Sequence, residues 1–386
     1  MDQVRMGVIG TGGMGQYHLQ YMNTVDGAEI GAVCDIDPKV LRNMTELHQV
    51  QGFEDYHDLL DSGRVDAVVI ATPHYDHTPI AIAAFEKGIH VLCDKPVAVH
   101  LNDALAMNEA YQKSNCVYGV MFQLRTEPIY IKMKELVDSG EIGEIVRVNY
   151  LVTDWFRTQA YYDSGGWRAT WRGEGGGVLL NQCPHSLDLL QWLTGMPKRI
   201  TARCAIGKWH DIEVEDDVTA ILEYENGATG IFVTSTGESP GTSLFEIAGS
   251  HGKLVQQNGK LTFYRTRVPV HEYCYAAKGG FDRPETWTID VPIPRRPVTE
   301  EHQQITQNFV NAILKGETLI TPGIEGIRSL EIGNAIMMSG LQKKSIDLPL
   351  DGDAFEAMLK DLIAGSGYQK KVKKIEDDDF TKSFHA

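Results

Sequence analysis

Short apolar runs alternate with amphipathic segments through the N-terminal part of the chain. Residues 14–22 have apolar positions at helical spacing and predict a helix. The apolar runs predict strands at 5–9, 29–34, 65–71, 90–93 and 119–123. Because short strands that alternate with helices are typical of a parallel sheet covered on both faces, we predict a doubly wound α/β domain over residues 1–122.

The pattern changes after a helix that we expect to end near Gly140. Polar and apolar residues alternate along several later segments, which predict strands at 145–153, 217–224, 227–235, 243–248 and 260–264. Asn226-Gly227 and Asn258-Gly259 are typical hairpin turns. We therefore expect a second α/β domain over residues 123–350 with a large open, mostly antiparallel sheet. An exposed apolar face of such a sheet would favour a homodimer or homotetramer.

Helical periodicity returns near the C-terminus. Residues 299–314 and 324–341 predict helices that pack back onto the first domain or its junction with the second. Residues 351–386 form a C-terminal extension, and the charged stretch 368–386 predicts a solvated tail rather than an arm exchanged between copies.

Composition narrows the class of protein. A chain of 386 residues with 42% hydrophobic content is long enough for two packed domains. No apolar run approaches the roughly 20 residues that cross a bilayer, and no signal-peptide pattern opens the chain, so we expect a cytoplasmic protein. The net charge of -16 argues against nucleic acid or an anionic membrane as partner.

The cysteines and histidines form no recognisable metal motif. The six cysteines are scattered, which favours buried free thiols over disulfides or a metal site. The thirteen histidines include no H-E-x-x-H arrangement. We expect no metal.

A glycine-rich turn follows the first predicted strand, with the sequence Gly10, Thr11, Gly12, Gly13, Met14, Gly15. Gly10 allows a tight turn, Gly12 lets backbone N–H groups approach a pyrophosphate, and Gly15 lets the next helix pack closely on the sheet. The N-terminus of that helix would stabilise the phosphate charge. A turn of this kind without a ligand is the alternative, since glycine spacing alone is a weak signal.

Asp35 and Ile36 follow the second predicted strand, where a dinucleotide places its adenine ribose. A carboxylate there accepts hydrogen bonds from both ribose hydroxyls and repels a 2′-phosphate, so it favours NAD over NADP. Asp35 could instead cap the next helix. Asp37 is better placed for that role, because it directly precedes Pro38.

Polar residues also follow the later strands of the first domain. Thr72, Pro73 and His77 come after the run 65–71, Asp94 and Lys95 after 90–93, and Gln123 ends the run 119–123. Ligands of open parallel sheets bind beyond the carboxyl ends of the strands, so we expect these residues to contact the cofactor.

Three separated segments together are more specific than the glycine turn. They are the turn 10–15, the segment 86–96 that ends in Asp94-Lys95-Pro96, and Gly175-Gly176-Gly177 leading to His185 and Asp188. This combination resembles the Gfo/Idh/MocA family, named for glucose-fructose oxidoreductase, inositol dehydrogenase and a rhizopine-catabolism protein. The resemblance covers about residues 4–350. It implies an N-terminal Rossmann domain, a C-terminal α/β domain with an open sheet, NAD(P), and usually a sugar or cyclitol substrate.

The resemblance also implies which residues carry the chemistry. Lys95 matches the catalytic lysine, whose ammonium would stabilise alkoxide character and whose pKa should fall beside a cationic nicotinamide. His185 matches the active-site histidine, and a helix over 184–193 would favour its neutral form as proton acceptor.

The chain departs from the family pattern at two positions. Asp94 replaces a glutamate, which shortens its reach to the cofactor. Asn181 stands where many members have aspartate, so it would position a hydroxyl but not accept its proton. Asp188 would either orient the His185 imidazole or pair locally, and both alternatives stay open.

Aromatic and cationic residues between the two domains predict a sugar pocket. Trp155, Tyr162 and Trp167 offer rings for a pyranose, and Arg168 offers hydrogen bonds to its oxygens, with Arg125 near the nicotinamide end. Core packing of the aromatic rings is the alternative. We predict an NAD-dependent oxidoreductase that converts a secondary hydroxyl of a sugar, glycoside or cyclitol to a ketone. The alternatives are an inositol dehydrogenase, a glycosidase assisted by tightly bound NAD, and a non-catalytic NAD-dependent sensor.

Overall fold

The computed structural model describes residues 2–295 and 300–373. The first group of elements forms an alternating strand and helix series. It comprises β1 (Val4–Ile9), α1 (Gly13–Met22), β2 (Ala28–Cys34), α2 (Pro38–His48), β3 (Gln51–Phe53), α3 (Tyr56–Asp61), β4 (Ala67–Ile70), α4 (His74–Glu86), β5 (His90–Cys93), α5 (Leu101–Gln112) and β6 (Tyr118–Val120). These strands make one six-stranded sheet in the order β3-β2-β1-β4-β5-β6.

Every pair of neighbouring strands in this sheet is parallel. Both faces are buried, because Ala67 and Val69 of β4 belong to one apolar cluster while Val68 and Ile70 belong to another. The predicted doubly wound parallel sheet is thus confirmed. The strand order reverses between β1 and β4, where α/β folds place their ligands.

The second group of elements forms a larger sheet with helices on its inner face. It comprises α6 (Pro128–Asp138), β7 (Ile145–Val152), α7 (Gln159–Asp163), α8 (Pro184–Thr194), β8 (Arg199–Ile206), β9 (Glu215–Glu223), β10 (Thr229–Ser235), β11 (Ser243–Gly249), β12 (Gly252–Gln257), β13 (Lys260–Thr266), α9 (Val270–Ala276), β14 (Thr286–Asp290), α10 (Glu301–Lys315), α11 (Gly326–Gln342), β15 (Ile346–Asp347) and α12 (Gly352–Gly365).

Nine of these strands pair in the order β14-β13-β12-β11-β7-β10-β9-β8-β15. Only β7 and β10 run parallel, so the sheet is mostly antiparallel, as predicted. Both Asn-Gly turns join neighbouring antiparallel strands, β9 to β10 and β12 to β13. On the inner face, the rings of Tyr150 and Phe245 stack with centroids 4.0 Å apart. Strands β8, β12, β14 and β15 were not predicted.

The chain returns to the first domain through α10. Ile305, Phe309 and Val310 of this helix share an apolar cluster with Val4 and Leu19. Helix α11 packs on α8, α5 and β8 at the junction of the two domains. Both helices therefore pack where we predicted, one on the first domain and one at its junction with the second. Thr299, where we expected the first of them to begin, lies outside the described residues.

The first residues of the charged tail lie against their own chain. Lys373 donates to the Asp163 carboxylate at 2.7 Å, and the Tyr368 hydroxyl donates to the Asp211 carbonyl at 2.7 Å. Residues 368–373 thus remain partly exposed, as their charge predicts, but they are held by these contacts. The rest of the predicted tail, 374–386, lies outside the described residues.

All six cysteines are free, as expected, but only three are buried, and Cys274 is exposed. Among the described residues, no helix combines the length and apolar character needed to cross a membrane.

Candidate active site

The turn between β1 and α1 leaves room that side chains would fill. Gly10 has φ +83°, and a Cβ there would lie 2.8 Å from the Ala71 carbonyl group. A Cβ on Gly15 would overlap the Gly10 carbonyl oxygen, so only glycine lets α1 approach the strand this closely. A Cβ on Gly12 would meet nothing within 4 Å. The open space at Gly12 fits a pyrophosphate beside the first N–H groups of α1.

Asp35 lies at the end of β2 and faces the glycine turn. Its Oδ2 accepts hydrogen bonds from the Thr11 N–H at 2.7 Å and the Thr11 hydroxyl at 3.1 Å. The helix cap is Asp37, whose carboxylate accepts from Lys39 and Val40 N–H groups at the start of α2. The Asp35 carboxylate is therefore held beside the glycine turn and does not cap α2.

One cavity of about 410 Å³ runs from the glycine turn to the second domain. The predicted cofactor residues that line it are Gly10, Gly12, Gly13, Met14, Asp35, Ile36, Thr72, Pro73, His77, Asp94, Lys95 and Gln123. The predicted substrate residues that line it are Trp155, Trp167, Arg168, Asn181 and His185. The fold thus brings these separated segments to one place, and the donors, carboxylate and open glycine turn fit NAD.

Four predicted site residues do not line this cavity. Thr11 and Gly15 are instead used within the turn, in the contacts just described. Tyr162 is buried, and its hydroxyl bonds to that of Thr236 at 2.8 Å. The Arg125 guanidinium is 2% exposed and forms ion pairs of 2.7 Å with Asp188 and with Glu325.

The Asp188 contact decides between the two alternatives for Asp188 and contradicts the expectation for Arg125. The carboxylate binds both Nε and Nη2 of Arg125, at 2.8 and 2.7 Å, and also the Gln191 amide at 2.9 Å. Asp188 therefore pairs with Arg125 and Gln191 and does not orient the His185 imidazole. Arg125 correspondingly joins the short 3-10 helix Gln123–Thr126 to α8, and its hydrogen bonds within the chain use four of its five N–H donors.

Lys95 occupies the end of β5, and its ammonium donates to the Asn181 backbone carbonyl at 2.7 Å. Burial lowers the pKa of Lys95 to about 8, and the charges of Arg168 and Arg157 act in the same direction, against the charge of Asp94. At pH 7, about a tenth of lysine side chains with this pKa are neutral. That fraction is about 300 times the fraction for a lysine with the ordinary pKa. Lys95 can therefore accept or donate a proton near neutral pH.

Asp94 is held from behind by a buried histidine. Nε2 of His18 lies 3.3 Å from Asp94 Oδ2, and His18 Nδ1 contacts the hydroxyl of Tyr21, which bonds to Thr306 at 3.0 Å. Burial acts to raise the pKa of Asp94, but His18 and Lys95 outweigh burial and lower it. The shorter acid is thus a fixed carboxylate beside Lys95.

His185 lies in the first turn of α8, directly after Pro184. Burial and the charge of Lys95 hold the pKa of His185 well below its usual value, so the imidazole is neutral. Its Nε2 lies 3.4 Å from the Gln123 amide nitrogen, and its buried Nδ1 has no hydrogen-bond partner among the described residues. A neutral ring with an unused nitrogen at the cavity can bind a hydroxyl.

The surroundings of Asn181 explain why an amide stands at this position. Its Nδ2 donates to the carboxylate of Glu174, and its Oδ1 accepts from the Tyr161 hydroxyl at 3.2 Å. An aspartate would face the Glu174 carboxylate with like charge and without a proton to donate. Burial raises the pKa of Glu174, which shows how poorly this place tolerates a second anion.

Six residues that we did not predict as site residues also line the cavity: Ala71, His74, Arg157, Tyr161, Gln182 and His302. Arg157 and Tyr161 lie in the aromatic segment that predicted the sugar pocket, so that signal was present. His302 reaches the cavity from α10; the helical pattern predicted that this segment packs back onto the first domain, but not that His302 faces the cavity. Among the described residues, no three metal-ligating side chains cluster.

Two family models match the chain. The Gfo/Idh/MocA oxidoreductase model for an NAD-binding Rossmann fold matches residues 4–122, and the Gfo/Idh/MocA C-terminal domain model matches residues 130–255. Together they cover most of both domains.

Individual proteins are also similar to this chain over most of its length. Myo-inositol 2-dehydrogenase of Thermotoga maritima is 25% identical over 89% of this chain and 98% of its own. The scyllo-inositol 2-dehydrogenase (NAD(+)) of Bacillus subtilis is 26% identical over 86% of this chain and 93% of its own. The crystal structure of the WlbA dehydrogenase from Bordetella pertussis, in complex with NADH and UDP-GlcNAcA, is 28% identical, has a TM-score of 0.76, and covers 90% of this chain and 100% of its own.

The glycine turn, the Asp94-Lys95-Pro96 segment and His185 lie at one cavity, and both family models match the domains that carry them. The chain belongs to the Gfo/Idh/MocA family and is an NAD-dependent oxidoreductase.

Proposed function

We propose that this enzyme oxidises a secondary hydroxyl of a sugar, glycoside or cyclitol to the ketone. The observation that carries the proposal is the meeting of Lys95 and His185 in one cavity with the glycine turn and Asp35. The inositol dehydrogenases and the sugar-bound WlbA structure support this substrate class. The aromatic rings of Trp155 and Trp167 favour a pyranoside over free inositol.

The first domain would hold NAD through the glycine turn, the Asp35 carboxylate and the strand-end residues 72–73 and 94–95. Bound NAD supplies the hydride acceptor at its nicotinamide ring. Gln123 and His185 would contact the hydroxyl of the reacting carbon, and Asn181 fixes the Lys95 ammonium through its backbone carbonyl.

Lys95 and His185 would divide the handling of the proton. We assign proton acceptance to the neutral Lys95 amine, because its pKa of about 8 is near the working pH. The pKa of His185 is low, so its imidazole stays neutral. It would orient the hydroxyl as a hydrogen-bond partner without itself becoming charged in the buried site. This assignment differs from the expectation that His185 accepts the proton while the Lys95 ammonium stabilises the alkoxide.

The test is NADH formation, followed by absorbance, across a panel of pyranosides, free sugars and inositols. We expect turnover with at least one secondary alcohol and its loss in Lys95→Met, with Lys87→Met as the control because Lys87 pairs with Asp61 far from the cavity. Failure of every polyol in the panel would contradict the proposal.

The second sheet offers a surface for a homodimer or homotetramer, which we include in the proposal. Ile221 and Ile231 are paired across β9 and β10 on the outer face and are 51% and 39% exposed. Val233, Leu151 and Leu244 continue this outer-face patch on neighbouring strands. A second copy of the chain would remove this apolar surface from water.

The six free thiols fit the reducing cytoplasm that we also propose.

A further inference from the structure

We propose that the sugar carries a carboxylate, and that Arg157 and Arg168 bind it at the substrate end of the cavity. This inference rests on the proposed function and names its substrate class more closely. Both guanidinium groups line the cavity beyond Lys95, on the side of the second domain.

Arg168 is held between two aromatic rings. Its guanidinium carbon lies 4.7 Å from the Tyr161 ring centroid and 4.6 Å from that of Trp167. Its Nη1 donates to the Tyr161 hydroxyl at 2.8 Å, and within residues 2–295 and 300–373 it makes no other hydrogen bond. Stacking fixes the plane of the group and leaves its remaining N–H donors for a planar acceptor.

Arg157 is fixed through its backbone. Its N–H donates to the Thr236 carbonyl at 2.9 Å, and its carbonyl lies 2.9 Å from His210 Nε2. His210 is held in turn by the Asp216 carboxylate at 3.0 Å. The guanidinium lies over the Trp155 and Tyr161 rings at 5.3 and 5.2 Å, and its buried Nε has no partner in the described part of the chain.

These two charges are not compensated by a contact. Neither guanidinium forms an ion pair with a carboxylate of the described residues, whereas Arg5, Arg125, Arg199, Arg265 and Arg267 all do. Other described arginines without a carboxylate partner, such as Arg42, Arg147 and Arg203, are exposed to solvent, whereas Arg157 and Arg168 are partly buried at the cavity. Glu174 is a nearby acid, but its oxygens accept from Asn181 and from the Ala169 N–H, and it does not line the cavity.

Three cations therefore face the substrate end: Lys95, Arg157 and Arg168. Their mutual repulsion is visible at Lys95, because both arginines act to lower its pKa. A carboxylate bound between the arginines would offset that repulsion and satisfy their free donors, which neutral hydroxyl groups do only in part. The cofactor phosphates do not meet this need, since their place is at the glycine turn on the opposite side of Lys95.

The test compares matched sugars that differ only at C6. We would measure kcat/KM for methyl β-D-glucopyranoside and methyl β-D-glucopyranosiduronate, for the corresponding galactosides, and for glucose 6-phosphate. We expect each uronate to exceed its neutral partner by at least about tenfold, mainly through a lower KM, as a charge-assisted pair predicts.

Variants assign the preference to the arginines. Arg157→Met and Arg168→Met should each reduce the ratio of uronate to neutral kcat/KM by at least about fivefold, while Arg168→Lys should give an intermediate ratio. Arg172→Met is the matched control, because Arg172 is exposed and outside the cavity. Thermal melting of each variant checks its fold, and a Met variant that folds but keeps the wild-type ratio would overturn the assignment.

Other outcomes separate this inference from the proposed function. Equal or faster turnover of the neutral sugars would overturn the carboxylate and leave the dehydrogenase intact, as would a preference for glucose 6-phosphate. If no sugar is oxidised, quenching of NADH fluorescence in the enzyme complex measures binding of the same pairs. Tighter binding of the uronates would then support the arginine site although the proposed reaction fails, and equal binding would reject both.

Discussion

Lys95 is the residue whose ionisation we expect to set the pH dependence of the reaction. Burial lowers its pKa to about 8, so the neutral amine, to which we assign acceptance of the substrate proton, becomes dominant above that pH. We predict that kcat/KM for oxidation rises about tenfold per pH unit below pH 8 and levels off above it. The measurement is a pH profile of NADH formation from pH 6 to 10. A profile that falls above pH 8 would mean that the ammonium form is the active one.

His185 should matter for the rate without affecting cofactor binding. Its ring is neutral and borders the cavity, whereas the glycine turn and Asp35, which we propose to hold NAD, belong to the first domain. We predict that His185→Ala lowers kcat at least about a hundredfold and leaves the dissociation constant for NADH within about threefold. Calorimetry and steady-state kinetics provide the two readouts. His57→Ala, at an exposed site on α3, is the control, and an unchanged kcat would remove His185 from the mechanism.

The sequence predicted those residues that belong to contiguous motifs. Lys95 and Asp35 directly follow strands, so their position at the carboxyl edge of the sheet could be derived from the chain alone. Arg125 and Asp188 could not be assigned, because 63 residues separate the partners of that buried ion pair. The choice of Tyr161 over Tyr162 for the cavity depends on which side of a short helix faces inward, and a five-residue helix has too little periodicity to tell.

At the scale of elements, the start of β9 supports the glycine segment that leads to Asn181. The Glu215 carboxylate accepts from the Gly177 N–H at 2.8 Å and the Leu179 N–H at 3.1 Å. A Cβ on Gly177 would overlap the Glu215 carbonyl oxygen, so the segment can approach the strand only as glycine. This contact explains why the third of the three glycines stands at position 177.

Glu215 should also make stability depend on pH. Burial raises its pKa to about 7, so the folded protein binds a proton there that the unfolded chain releases above about pH 4.5. Stability from this group is therefore present at low pH and lost as pH rises towards 7, by about 3 kcal/mol. We predict that Glu215→Gln reduces the difference between unfolding free energies at pH 5 and pH 8. Urea unfolding measures this difference.

The control for that experiment is Glu225→Gln, since Glu225 lies in the β9–β10 hairpin with its side chain 89% exposed. It should leave the pH dependence as in the unaltered protein. If Glu215→Gln also leaves it unchanged, Glu215 is not the titrating group.

The elements that local sequence predicted best are those with a turn signal. Asn258, at φ +51°, and Gly259, at φ +71°, have the left-handed backbone that a two-residue hairpin needs, and both strands of that hairpin formed. By contrast, β15 has only two residues and exists because β8 offers it a partner. This strand depends on the pairing of Ile346 with Ile200, which lies 146 residues earlier in the chain. Two residues are too few to show a periodic pattern in the sequence.

For the whole molecule, the site is built at the junction of the two domains and completed by a helix from near the C-terminus. His302 of α10 lines the cavity, while the same helix packs its apolar face on β1 and α1. The two-domain α/β architecture followed from the order of strand and helix patterns. The return of α10 to the first domain was expected only in outline, because amphipathic spacing shows that a helix has a partner but not which one.

The outer face of the large sheet leads to the last prediction. The neighbouring side chains of Ile221 and Ile231 are the most exposed part of its apolar patch, and lysine at both positions would place two charges in any interface formed there. We predict that the double variant Ile221→Lys, Ile231→Lys has a smaller mass by light scattering than the unaltered protein at micromolar concentration. Leu47→Lys, at a 67% exposed position on α2, is the control and should keep the original mass. Because both substitutions lie outside the core, the melting curve should retain one cooperative transition. A monomeric mass for the unaltered protein would show that this face needs no second copy.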